Sequence, residues 1–212
     1  SFASHWQALG VGCQSCHGPA SGHLAWAKKA DKDEASKGFA KPLLSQTDNR
    51  GQVQVCARCH ALRSPLGDGY EHSAALLDDY LPSDLSATQY EVDGRIKGEV
   101  FEYGSFTQSK MFAKGVTCTN CHNPHSTRLK LEGNAVCTQC HNPAGKTAAA
   151  GIDGAGLQAK DYDNPAHTHH PAGSKAAQCT ACHMPGKFYM GNDFRHDHSF
   201  SVPNPAQSAA LG

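Results

Sequence analysis

The sequence predicts one domain, residues 1–212, of mainly short α-helices and loops with one small β-hairpin, built around a core that its own side chains do not supply. Hydrophobic residues make up 39% of the chain, yet that share includes 10 cysteines, and Ile, Leu, Val and Phe are sparse beside 21 Gly and 11 Pro. A chain so poor in aliphatic side chains is disordered, stapled by disulfides, or packed around something that is not protein. The cysteine pattern decides among these.

The elements follow in order. Ser21 is placed to cap a helix running through His23, Leu24, Trp26 and Ala27 to about Ala35, with Lys and Asp on its outer face. The stretch YEVDGRIKGEVFEYG, residues 90–104, alternates around Asp93-Gly94 and reads as the hairpin. A second helix is expected from Ser105 to Lys114, stopping at Gly115. The Ala- and Gly-rich segment 145–165 reads as a surface loop, and the Pro-containing tail 201–212 as extended.

All ten cysteines fall into five Cys-x-x-Cys-His units: Cys13, Cys16, His17; Cys56, Cys59, His60; Cys118, Cys121, His122; Cys137, Cys140, His141; and Cys179, Cys182, His183. In such a unit two thiols add to the two vinyl groups of a haem, and the adjacent histidine becomes the proximal ligand of the iron. Zinc knuckles do not fit, because five pairs leave a remainder in four-ligand sites and zinc gives no reason for histidine after every pair. A thioredoxin-like redox pair would occur once beside a βαβ pattern, and a disulfide framework would not repeat one spacing. The prediction is therefore a chain of short helices and loops wrapped around five covalently attached haem c groups. Only residues 123–136 separate the third unit from the fourth, so these two must be close neighbours.

The sixth iron ligand comes from a pool of nine further histidines: His5, His23, His72, His125, His167, His169, His170, His196 and His198. Only 3 methionines compete. Met184 follows His183 directly and cannot reach the far face of the same ring, while Met111 and Met190 have apolar neighbours and read as packing. Bis-histidine ligation at most or all irons, with low potentials, is expected. His125 lies three residues after His122 and stays on the same side of that haem, so it serves a different iron. The unit ending at His141 is the first candidate.

From about Trp6 to Pro205 the chain resembles the multihaem cytochromes that often carry tetratricopeptide repeats, relatives of the hydroxylamine-oxidoreductase-like and pentahaem nitrite-reductase-like cytochromes. The blocks that carry the resemblance are VGCQSCHGPASGHLAWA, VCARCHALR, YGSFTQSKMFAKGVTCTNCHNPHS, GNAVCTQCHNPA, HTHHPAGSKAAQCTACHMP and RHDHSFSVPNP. The resemblance implies His23, His72, His125, His167, His170 and His198 as distal ligands, one more than five irons need. His5, His169 and His196 do not match its pattern. The repeats themselves, and the haem units that longer relatives carry upstream, do not occur in this sequence, so one ligand is idle here or reaches a haem of another subunit.

Function classes narrow accordingly. Basic and acidic residues number 19 each, without long runs of either sign, which gives no electrostatic case for nucleic acid or an anionic membrane surface. No apolar run approaches the roughly 18 residues of a membrane span, and SFASHWQALG is not a signal peptide. Covalent haem attachment places maturation in the periplasm or beyond, with the signal already removed. The expected function is electron transfer with other redox proteins or cytochromes, as a discrete carrier or as a subunit of an extracellular filament with haem contacts between copies. The alternative is a haem reductase or oxidase of a small nitrogen or sulfur oxyanion, with one open iron and Arg195, Asp193 and Asp197 as the nearest proton-handling groups, which otherwise read as a solvated charge run.

Overall fold

The computed structural model describes residues 3–6, 9–32, 37–39, 48–69 and 75–211. Most of its elements are a turn or two long. In chain order they are α1 (Cys13–His17), α2 (Ser21–Ala27), α3 (Asn49–His60), β1 (Arg63–Pro65), α4 (Leu76–Asp79), β2 (Tyr80–Pro82), α5 (Glu102–Thr107) and α6 (Lys110–Ala113). There follow α7 (Cys118–Cys121), β3 (His122–Asn123), β4 (Arg128–Leu129), α8 (Ala135–Thr138), α9 (Pro165–Thr168), a 3₁₀ turn (Lys175–Ala177), α10 (Cys179–His183), β5 (Gly186–Tyr189), β6 (Asp193–His196) and α11 (Pro205–Leu211).

The longest helix, α3, is the central strut. Asp48 caps it by accepting from the Gly51 N–H at 3.0 Å, and Gln52, Val53 and Ala57 are buried along it. Buried Arg58 on the same helix donates to Asp79 at 3.0 Å, which ties α3 to the end of α4. Gln54 accepts from the Leu76 N–H at 2.8 Å, so the start of α4 is capped from α3.

Several elements differ from the sequence expectation. The hairpin expected over 90–104 is a tight turn at Asp93-Gly94 closed by a single bridge between Tyr90 and Ile96. Tyr90, Ile96 and Val100 are drawn instead into a small core with Tyr189, and a regular ladder gives way to that packing. Three other hairpins form: β1 with β2 in the register Arg63↔Pro82, β3 with β4 in the register His122↔Leu129, and β5 with β6 in the register Gly186↔His196. Helix α2 ends at Ala27, and Ser21 is its first residue, not its cap; the cap position is Ala20. The expected helix over 105–114 is two helices, α5 and α6, broken where Ser109 turns extended and caps α6 by accepting from the Phe112 N–H at 3.0 Å. The tail is extended only to Asn204, after which α11 begins at Pro205, a residue suited to the first helical turn.

Segment 145–165 is a loop as expected, and it is anchored. Lys114 pairs with Asp153 at 2.5 Å, and the Asp153 N–H donates to the Lys114 carbonyl at 2.8 Å. Gly115, with φ of +90°, permits this contact, since a Cβ there would strike the Gly151 carbonyl.

Among the described residues the side-chain core is small, with one cluster of Tyr90, Ile96, Val100 and Tyr189 and another of Ala57, Ala61 and Leu76 with Tyr80 and Tyr103 packed against them. The accessible surface is 14072 Å² for 22.5 kDa, against about 9,500 Å² for a compact folded monomer of that mass. Polypeptide contacts alone therefore close this fold poorly. Leu76 is fully buried at the centre of the second cluster, so Leu76→Ala is expected to lower stability by about 2–5 kcal/mol in a denaturant titration.

Candidate functional site

Each Cys-x-x-Cys-His unit sits on or against a helical turn. Helices α1 and α10 contain the whole first and fifth units, and the last turn of α3 carries the second. Helix α7 carries Cys118 and Cys121 and hands His122 to β3, while Cys137 lies in α8 and Cys140 and His141 in the turn after it. A spacing of three residues on a helical turn puts both sulfurs on one face. Every cysteine is at least partly exposed, as attachment requires.

The decisive geometry lies among the histidines. The rings of His17 and His125 are 6.1 Å apart and nearly parallel, at 8°. His167 and His183 repeat the arrangement at 6.2 Å and 9°, and His122 and His198 keep the spacing, at 6.3 Å, with a tilt of 29°. Two metal–imidazole bonds of about 2 Å each, with about 1 Å from each nitrogen to its ring centre, put ring centres about 6 Å apart. Each pair joins the histidine of one Cys-x-x-Cys-His unit to one of the predicted distal residues. His125 thus lies against His17, not against His141 as expected. The short β3–β4 hairpin explains the difference, because the Asn123 side chain accepts from the His125 and Ser126 N–H groups at 3.0 and 3.3 Å and fixes His125 at the hairpin tip.

Ring orientation is set by hydrogen bonds at Nδ1, which leave Nε2 for a metal. His23 donates to the Lys37 carbonyl at 2.7 Å, His183 to the Ser201 carbonyl at 3.0 Å and His198 to the His196 carbonyl at 2.9 Å. His60 bonds the Glu102 carboxylate at 2.9 Å, a partner 42 residues away for which the sequence carries no signal. That hydrogen bond raises the His60 pKa above its ordinary value. Burial lowers those of His198, His122 and His141, and His198 adds to the effect at His122. A depressed pKa suits a metal ligand, which must be neutral.

The remaining predicted residues are placed as follows. His141 meets Tyr162 edge-on at 5.8 Å, and among the described residues it has no histidine ring at the spacing of the three pairs. His23 stacks on Phe39 at 4.5 Å and on Trp26 at 5.3 Å, and Phe39 in turn touches His17. His170 is exposed and its backbone is held by Thr168. His72 lies outside the described residues. His196 donates from Nδ1 to the Met184 carbonyl at 2.6 Å and so joins β6 to the fifth unit. The charge run near His198 is structural: Arg195 pairs with Asp193 and Glu99, and buried Asp197 accepts from the Ile96 N–H at 2.6 Å.

A family model for the doubled CXXCH motif matches residues 110–146, which hold the third and fourth units. The match supports a multihaem cytochrome c. No curated protein and no solved structure matches the chain. In a c-type cytochrome the haem is held through two thioether bonds, and the residues here fit that group: paired sulfurs on one face, a histidine next to them, and facing imidazoles at the spacing one iron needs. Among the described residues no helix is long and apolar enough to cross a membrane.

Haem attachment removes both thiols of each unit that it occupies. Alkylation of the denatured holoprotein, read by peptide mass spectrometry, is expected to label none of the ten cysteines. Labelling of both cysteines of one unit would mark that unit as unused.

Proposed function

We propose that the protein is an electron-transfer cytochrome with five covalently attached haems, most or all of them ligated by two histidines. The observation that carries this reading is the set of three facing histidine pairs, each at the separation that one iron requires. A haem held in this way supplies an iron that cycles between two oxidation states. The chain contributes ligands, orientation and a fixed electrostatic surrounding.

On this reading His125 serves the iron of the first unit, His198 that of the third and His167 that of the fifth, which the pair spacings support. His23, His72 and His170 remain as candidates for the second and fourth. Two histidines per iron keep potentials low and leave no coordination site for a small substrate, which favours electron transfer over an oxyanion reductase. The partners are other redox proteins or cytochromes. Each haem brings two propionates, so the holoprotein is more acidic than its balanced side chains, and a basic patch on a partner is the natural complement. We further propose maturation in the periplasm or outside the cell, kinship with the tetratricopeptide-repeat-associated multihaem cytochromes, and action as a discrete carrier.

Two measurements test this reading. His125→Ala is expected to convert one haem of five, that of the first unit, from low-spin to high-spin by electron paramagnetic resonance, while the other four keep their spectra. A wild-type protein that is partly high-spin, or that binds carbon monoxide at once when reduced, counts against pure electron transfer. Sizing of native material is expected to give a particle near the monomer mass; an extended polymer overturns the discrete carrier in favour of a filament with contacts between copies.

A further inference from the structure

The cysteines carry a second pattern, independent of the histidines. Cys16 lies near Cys56 and Cys59. Cys56 lies near Cys118, Cys121 near Cys140, and Cys137 near Cys179. The row runs through all five units in chain order. Each attachment edge meets the next.

Amide side chains stitch the same neighbours together. Gln52, one helical turn before Cys56 on α3, accepts from the Thr119 N–H of α7 at 3.0 Å, so the second unit caps the helix of the third. Gln139, between the cysteines of the fourth unit, donates to the Asn120 carbonyl of the third at 3.3 Å. Asn134 occupies the N-cap position of α8 but makes no side-chain cap there. Its Oδ1 accepts instead from the Cys179 N–H of α10 at 2.8 Å, and its Nδ2 donates to the Ala177 carbonyl at 3.0 Å and to Asp163 at 2.7 Å. The first turn of the fifth unit is thus capped from the fourth. Gln52 is 1% exposed; its Oε1 is satisfied by the Thr119 N–H, while its buried Nε2 has no hydrogen-bond partner among the described residues, a cost that a purely local packing role would not require.

We propose that Gln52, Gln139 and Asn134 are positioning residues that hold the attachment edges of the second to fifth units in contact, so that their haems are edge neighbours in the order of those units along the chain. This rests on the five-haem reading. Helix capping by residues of the same unit would stabilise each unit just as well. Capping across units fixes the distance and angle between one unit and the next.

Closely spaced haems couple their Soret transitions, and the resulting two-signed circular dichroism band reports their mutual orientation. The holoprotein is expected to show this band, and Asn134→Ala to reduce its amplitude at least twofold while keeping five haems by mass and low-spin spectra. The exchange Asn134→Asp with Asp163→Asn preserves the acceptor for Cys179 and the bond between the two side chains but loses the donor to the Ala177 carbonyl, and is expected to restore part of the amplitude. Gln139→Met provides a second probe at a half-buried position should Asn134→Ala fail to fold, and is expected to reduce the band and to narrow or widen the spread of midpoint potentials. A wild-type protein without a two-signed band, or variants with five low-spin haems whose band and potentials match wild type, overturn the proposal. Fewer than five haems in the wild type overturns the five-haem reading instead.

Discussion

Covalent attachment of a rigid planar group to two sulfurs three residues apart is the constraint on which this fold depends. With so few aliphatic side chains, the described residues bury two small clusters, and the accessible surface stays far above that of a compact chain of equal mass. Order then has to come from many short, separately fixed turns. Each Cys-x-x-Cys-His unit needs one helical turn to align its sulfurs and no more, which is why helices such as α1, α7 and α10 span only a turn or so.

Short helices expose a large share of unsatisfied backbone groups, because the first N–H groups of any helix have no partner within it. The fold answers by capping across elements. Gln54 of α3 caps α4, Gln52 of α3 caps α7, and Asn134 before α8 caps α10. Local caps such as Asp48 and Ser109 serve where the neighbouring element only needs to start. The cross-caps couple the placement of one unit to that of the next, so the polar requirements of the backbone and the spacing of the sites are met by the same side chains.

The histidine pairs act over longer stretches of chain. His17 meets His125, His122 meets His198, and His167 meets His183, each pair spanning a segment that no local hydrogen bond could organise. The hairpins serve these contacts: β3 and β4 present His125 at their tip, and β5 with β6 return the chain so that His198 comes beside His122. Backbone carbonyls at Ser201 and His196 then fix the tautomer of His183 and His198, a role that sequence carries no mark of.

Residue identity and spacing alone determined the chemistry, because the attachment unit is local: two thiols and a histidine within five residues do the same thing wherever the chain carries them. The supply of histidine over methionine was legible for the same reason, as was the nearness of the third and fourth units. Which histidine faces which was not legible, since that depends on hairpins only two residues long and on Asx and carbonyl contacts whose sequence signals are faint. His125 shows the boundary plainly. Its spacing from His122 excluded their shared iron, but only the fold could place it against His17, because a short tether says where a side chain cannot go and tertiary packing says where it does.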